Sequence, residues 1–364
     1  MVYLDANATE PLRPEARAAM LATLEVTGNP SSVHAAGRAA RRILEDARES
    51  LAARFGALAQ NLVFTSGGTE ADALAIHALG AGRRVIVGAT EHDAVRSTPS
   101  SFTLPVDRDG VADLDTLAAW LVDGPPALVC LMLANNETGT IQPVAAAAEV
   151  CCRHGAYLHV DAVQAAGRID VGQTALGAHS IAVSSHKLGG PPGAGALLLA
   201  PEVTSIGPMI AGGGQERGRR GGTPALPAIA GFAAAASVAA GAAHLAPLRD
   251  AAEVAAVAEG AIVCGGGTAR LANTTCLALA GVRADAQVIA LDLDGIAVSA
   301  GAACSSGKVS ASHVLAAMGL GSLAGQAIRV SLPWSATSSD VAAFAVAYRR
   351  MADRLRAALA PRAA

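Results

Sequence analysis

Only two lysines stand among the 27 basic residues of this 364-residue chain, Lys187 and Lys308. Chemistry that needs a primary amine therefore has two candidate side chains. Lys187 ends the run Ser184-Ser185-His186-Lys187, after an apolar stretch at 181–183 and before Gly189-Gly190-Pro191-Pro192-Gly193. An amine at the end of a buried strand, followed by glycines, can enter a cleft at the carboxyl edge of a sheet. The same placement also suits a lysine on a surface turn. Lys308 lies in a Ser/Gly-rich loop and reads as solvated.

Five further groups have chemical potential. Asp161 follows an apolar run at 157–160, with Gln164 three residues on. A carboxylate there can keep a pyridine nitrogen protonated and so make the ring an electron sink, or it can cap a helix. Ser66-Gly67-Gly68-Thr69-Glu70 joins a strand to a helix. Its backbone N–H groups, that of Gly68 included, and the Thr69 hydroxyl can cradle a phosphate. The plainer reading is a glycine turn with a threonine cap; no Walker lysine follows. His92, in Thr90-Glu91-His92, is either a ring partner or a structural histidine. Cys304 lies in the small-residue loop Ala300-Gly301-Ala302-Ala303-Cys304-Ser305-Ser306-Gly307. An exposed thiol there can act as a thiolate nucleophile or be incidental, whereas Cys130 and Cys276 fall on apolar runs and read as buried. Arg329, inside the apolar run 328–332, needs an anion, from a structural carboxylate or from a ligand. An amine, a ring-nitrogen acid, a phosphate cradle, a stacking histidine, a carboxylate clamp and a thiol are together what pyridoxal-phosphate chemistry on a thiol amino acid requires.

The elements that must hold these groups alternate along the chain. Spacing predicts helices over 34–54, 70–79, 144–154, 226–243, 284–293 and 339–358. Strands are expected over 61–65, 84–88, 128–133, 157–160, 181–184, 195–199, 274–279 and 328–332. Alternating strands and helices imply a mostly parallel sheet covered by helices. Composition shifts near Pro247, where a smaller α+β unit is expected.

Composition narrows the function. At 52% hydrophobic and 16% charged, with net charge −3, the chain can bury a core. It has neither a basic field for nucleic acid nor a stacking platform, with ten aromatics in all. No apolar run reads as a membrane span and no signal peptide is legible. Six scattered cysteines without C-x-x-C point to a reduced, cytoplasmic setting and away from zinc.

More of the sequence joins the same pattern: Leu4-Asp5-Ala6-Asn7-Ala8-Thr9, Gly28-Asn29-Pro30-Ser31-Ser32-Val33-His34, Asn135-Asn136-Glu137-Thr138-Gly139-Thr140, Gly212-Gly213-Gly214-Gln215-Glu216-Arg217-Gly218 and Ser312-His313-Val314-Leu315. With the Thr69, His92, Asp161, Lys187, Cys304 and Arg329 stretches, in this order, the chain resembles the cysteine desulfurases of the NifS/IscS type. These are class V aminotransferase-like, fold-type I pyridoxal-phosphate enzymes.

The resemblance implies a large cofactor-binding domain over 12–246 and a small domain from 1–11 and 247–364, the latter carrying the Cys304 loop. It implies that Lys187 forms the Schiff base with pyridoxal 5'-phosphate. Asp161 would pair with the ring nitrogen, Gln164 with the ring oxygen, and His92 would stack on the ring. Gly68, Thr69, Ser184 and His186 would hold the phosphate, joined by Thr223 from the neighbouring subunit of a homodimer. Asn136 and Arg329 would hold the substrate carboxylate. L-Cysteine would become L-alanine, with sulfur passing to Cys304 as a persulfide and on to a scaffold or carrier protein. Related readings are a selenocysteine lyase, an aminotransferase, or a non-catalytic sulfur-carrier partner. A transaminase needs no thiol at Cys304, and the joint presence of Lys187, Asp161, His92 and Cys304 counts against the carrier. Glu10, Ala6 and Pro192 depart from the family pattern beside the chemical positions. Arg217, Arg219 and Arg220 read as part of a dimer-interface loop rather than an RNA contact.

Overall fold

The apolar runs become strands of three sheets. In chain order they are β1 (Val2–Tyr3), β2 (Leu62–Thr65), β3 (Arg84–Gly88), β4 (Phe102–Leu104), β5 (Ala127–Cys130), β6 (Tyr157–Asp161), β7 (Ser180–Ser184), β8 (Gly195–Leu199), β9 (Ala261–Val263), β10 (Thr274–Leu279), β11 (Ile296–Ala297), β12 (Ser299–Ala300) and β13 (Ala327–Ser331). The computed structural model describes residues 1–100, 102–203, 205–301 and 311–359, so Cys304 and Lys308 lie outside the described residues.

The largest sheet has the order β2-β8-β7-β6-β5-β3-β4. β7, β6, β5, β3 and β4 run parallel, and β8 is antiparallel to both its neighbours. Successive side chains of a strand point to opposite faces. Val129 of β5 therefore joins one apolar layer with Leu44, Leu51 and Phe232, while Leu128 and Cys130 join another with Leu74 and Ala75. Helix Ala35–Arg54 and helix Leu226–Val238 cover the first face, and helix Gly68–Leu79 covers the second. A sheet covered on both faces is the α/β architecture that the alternating pattern predicts.

The second sheet, β12-β13-β10-β9, is antiparallel throughout. Helices Ala246–Ala258, Ala284–Leu293 and Ser338–Leu359 contribute to its own core, centred on Leu277, Ile328, Phe344 and Tyr348. The first residues of the chain belong to this part: β1 pairs with β11, and Asp5 bridges to Ser331.

Three boundaries differ from expectation. The Ala-rich helix foreseen over 226–243 ends at Val238; Gly241, at φ +93, turns the chain, and a separate helix starts at Ala246. The strand foreseen over 128–133 stops at Cys130, although Leu131 and Leu133 still donate to the carbonyls of His159 and Asp161. The backbone N–H of Met132 goes instead to Glu91 Oε1, a side chain no local pattern supplies. The helix foreseen from Glu70 begins at Gly68, so Thr69 lies in its first turn rather than capping it. Helix Pro14–Leu24 was not foreseen, because its apolar residues form no stripe.

Candidate active site

The carboxyl ends of the parallel strands bring the candidates together. Asp161 is the last residue of β6, Ser184 ends β7, and the 3-10 turn Ser185–Lys187 follows it. His92 lies after β3, Asn136 after β5, and Thr69 at the start of helix Gly68–Leu79. With Gly68, Gln164 and His186, these residues line one cavity of about 240 Å³. Ligands of open α/β sheets bind at this edge.

Lys187 Nζ donates to the carbonyls of Asn7 at 2.6 Å and Ala8 at 3.0 Å. The Asn7 carbonyl also accepts from Gln164 Nε2 at 3.0 Å. The N-terminal segment is thus bound to the amine. His186 holds it too, with Nδ1 at 3.2 Å from Thr9 Oγ1. Burial, with Lys187 nearby, pushes the His186 pKa down to about 4, so this ring is neutral at pH 7.

Asp161 accepts from the Val163 N–H at 2.8 Å. Burial, then the nearby Asp72 charge, pushes its pKa up to about 7. On the same face of β6, His159 Nε2 lies 3.1 Å from Asp72 Oδ1, and His159 Nδ1 lies 2.8 Å from Ser180 Oγ. Burial raises Asp72 to about 8 and lowers His159 to about 4. The pair behind Asp161 is therefore neutral overall. A cation placed against Asp161 would offset the burial and restore the carboxylate.

The opposite end of the cavity suits an anion. Ser184 Oγ is buried with no hydrogen-bond partner among the described residues. It lies beside the N-terminus of a twelve-residue helix that has no capping side chain. A Cβ on Gly68 would sit 2.6 Å from Val163 Cγ2, so only glycine fits against that wall. Buried hydroxyls are seldom left unpaired, and free N–H groups at a helix start attract phosphate. The residues present therefore fit pyridoxal 5'-phosphate: an acid for its ring nitrogen, an amine for its aldehyde and a hydroxyl with helix amides for its phosphate.

The remaining candidates divide. His92 Nδ1 accepts from the Ala94 N–H at 3.1 Å, which fixes the ring at the start of the turn after β3. Gln164 has both amide ends engaged, its Oε1 accepting from Arg168 at 2.6 Å. Arg329 does not line the cavity; it donates to Asp5 Oδ1 at 2.6 Å and to the Asn136 carbonyl at 3.1 Å. Thr223 lies in a separate pocket of about 90 Å³ with Ser66 and Arg220. Asn7, Asp72 and His159 were assigned no role from sequence. The HVD run gave a period-two signal for His159 beside Asp161, and Asp72 stands one turn past the Gly68 loop; Asn7 had only its place in a shared motif.

An open sheet with a lysine after one strand end, an acid at the next and an anion site at a helix start is the arrangement of fold-type I pyridoxal-phosphate enzymes. The comparisons agree. The Aminotransferase class-V family matches residues 2–344. The chain is 38% identical over 388 aligned positions to the IscS-like cysteine desulfurase of Mycobacterium tuberculosis, covering 99% of this chain and 98% of that protein. It is 42% identical to a cysteine desulfurase of Cereibacter sphaeroides, covering 98% and 97%. The NifS-like protein of Rickettsia africae superposes with a TM-score of 0.91 at 32% identity, covering 97% and 99%. The chain belongs to the class-V aminotransferase family, on its NifS/IscS cysteine desulfurase branch.

Proposed function

We propose that this chain uses pyridoxal 5'-phosphate to convert L-cysteine to L-alanine and takes the sulfur onto Cys304 as a persulfide. The observation that carries the reading is the cavity walled by Lys187, the buried Asp161 and the Ser184 hydroxyl, which has no hydrogen-bond partner among the described residues. When bound, the cofactor supplies an electron sink for charge developing at the substrate Cα. Asp161 holds the proton on the ring nitrogen. The Lys187 amine takes the Cα proton, and His92 exchanges protons nearby. Gly68, Thr69, Ser184 and His186 hold the phosphate; Gln164 faces the ring oxygen. Asn136 and Arg329 orient the substrate carboxylate. The Cys304 thiolate attacks the substrate sulfur. An S–S bond forms as the Cβ–S bond breaks, and the electron pair stays on carbon, which takes up a proton to give alanine.

Thr223, in its separate pocket, serves the phosphate held by a second copy, so the working form is a homodimer. The persulfide passes to an acceptor protein, as iron–sulfur cluster assembly requires. The dispersed cysteines suit a cytoplasmic setting. Among the described residues no single helix is long and apolar enough to cross a membrane. Alanine and sulfide are measured from L-cysteine, beside L-selenocysteine, for the wild type and Cys304→Ala. Wild type should release both products from L-cysteine, and Cys304→Ala should lose sulfide release. Sulfide at the wild-type rate from Cys304→Ala would overturn the persulfide route.

A further inference from the structure

We infer that Glu137 is a positioning residue that clasps the two ends of the segment carrying Cys304. This rests on the proposed role of Cys304. Glu137 follows Asn136 in a turn where Asn135 Oδ1 accepts from the backbone N–H groups of Glu137 at 2.9 Å and Thr138 at 3.0 Å. Its side chain is buried, with only 1% of the residue exposed. Glu137 Oε2 accepts from Ser312 Oγ at 2.5 Å. Ser312 Oγ in turn accepts from the Leu315 N–H at 3.1 Å, capping helix His313–Ala317. On the other side, a Cβ added to Gly301 would stand 2.3 Å from the same Oε2 and 3.3 Å from Ser312 Cβ. Gly301 and Ser312 flank residues 302–310. One carboxylate oxygen thus touches both flanks.

The flanks are tied to the site elsewhere as well. Ser299 and Ala300 pair with Arg329 and Ile328 in the second sheet. His313 Nε2 lies 3.0 Å from the carbonyl of Glu91, the neighbour of His92. Glu137 completes this frame, because it is bonded in the chain to Asn136 on the cavity wall. A carboxylate that only filled space would be a poor choice there: burial raises its pKa, and the Ser312 hydroxyl and the Arg329 charge oppose that rise. A fixed acceptor between two chain ends gives the position a physical reason.

The role separates two steps of turnover. Substrate binding and Cα proton removal use Lys187, Asp161, Asn136 and Arg329; the Glu137 carboxylate is hydrogen-bonded to Ser312 and not to the side chain of any of these four. Sulfur capture needs Cys304 at the right distance, and a misplacement of about 1 Å costs on the order of 10²-fold in rate. The test uses the holoenzyme as wild type, Glu137→Gln and Ser312→Ala. The change in cofactor absorbance on mixing with L-cysteine reads the first step. Mass spectrometry of the Cys304 peptide, sampled over time, reads the gain of one sulfur atom. The absorbance change should keep its wild-type rate while persulfide formation slows by about 10²-fold in Glu137→Gln. Ser312→Ala should slow it in the same sense, with a melting temperature lowered only by the loss of the helix cap. Undiminished persulfide formation in both variants overturns the clasp, as does an equal fall in both steps. A wild type that gains no sulfur on Cys304 overturns the proposed function, and the clasp with it.

Discussion

Arg329 and Asp5, 324 residues apart in sequence, meet at 2.6 Å between Nη2 and Oδ1. The guanidinium is 3% exposed and the carboxylate 20%. Arg329 Nη1 is held by the Asn136 carbonyl, and Arg329 Nε is buried without a partner among the described residues. Asp5 therefore balances a buried charge and fixes the plane of the fork. Arg329→Lys keeps a charge but loses that fork. It should raise the KM for L-cysteine about tenfold, worth about 1.4 kcal/mol, with a smaller effect on kcat. An unchanged KM would remove Arg329 from substrate binding. Asp5→Ala leaves the arginine charge buried and should lower stability by about 3 kcal/mol in urea unfolding.

Borohydride reduction separates the two lysines. Reduction of the holoenzyme should fix the cofactor on the peptide containing Lys187 and bleach the yellow colour. Lys308→Ala should behave as wild type. Lys187→Ala should carry no covalent cofactor after reduction, and its kcat should fall by roughly 10²–10⁴-fold or more for loss of the proton-transfer amine. Cofactor mass retained on Lys187→Ala after reduction would show the assignment to be wrong.

The strand ends are legible in the sequence because Asp161 directly follows an apolar run and Lys187 follows another after Ser184-Ser185-His186, and the parallel order then converges them. What depends on distant chain is not legible there. Arg329 offered two partners, a structural carboxylate or a ligand; which carboxylate met it depended on the N-terminal segment crossing to β13. Asn7 reaches the Lys187 amine through its backbone carbonyl, which no side-chain pattern encodes. The early stop of β5 has the same origin, a side chain of Glu91 taking the Met132 N–H.

Glu216 anchors the glycine-rich loop that precedes Thr223. Arg48 Nη1 donates to Glu216 Oε2 at 2.7 Å and Nη2 to Oε1 at 2.8 Å, while the Phe64 N–H donates to Oε2 at 2.9 Å. Both side chains are buried, at 6% and 3% exposure. The loop backbone enters the left-handed region at Glu216, φ +48, and Arg217, φ +58, so a fixed partner must hold it. Glu216→Ala removes the buried bidentate partner of Arg48 and leaves only the half-exposed Glu45 carboxylate, 3.1 Å from its Nε, to balance the charge. It should cost about 3–5 kcal/mol, seen as a lower urea midpoint. A midpoint equal to wild type would show that the pair contributes nothing.

The buried groups behind the ring-nitrogen site set the response of the cofactor-free protein to pH. Asp72 and Asp161 rise from 3.8 to about 8 and about 7, while His159 and His186 fall from 6.5 to about 4. Raised carboxyls keep protons in the folded chain that the unfolded chain has lost, so their contribution to stability falls as pH rises. The lowered histidines act oppositely, because below 6.5 the unfolded chain takes up protons that the folded chain refuses. Among these four, two oppose two between about pH 4 and 6.5 and largely offset; buried Glu91 and Glu137, also raised, act with the carboxyls, and His179 and His313, also lowered, act with the histidines. From about pH 6.5 to 8 only the carboxyls remain, and each costs at most about 1.4 kcal/mol per pH unit. The melting temperature of the cofactor-free protein should fall across that window. Asp72→Asn should flatten the fall, since the amide has no proton to lose. Bound cofactor should flatten it as well, because a protonated ring nitrogen lets Asp161 ionise inside the fold. A melting temperature that rises with pH in this window would show that neither carboxyl holds its proton in the folded chain, and a fall as steep in Asp72→Asn would show that Asp72 does not.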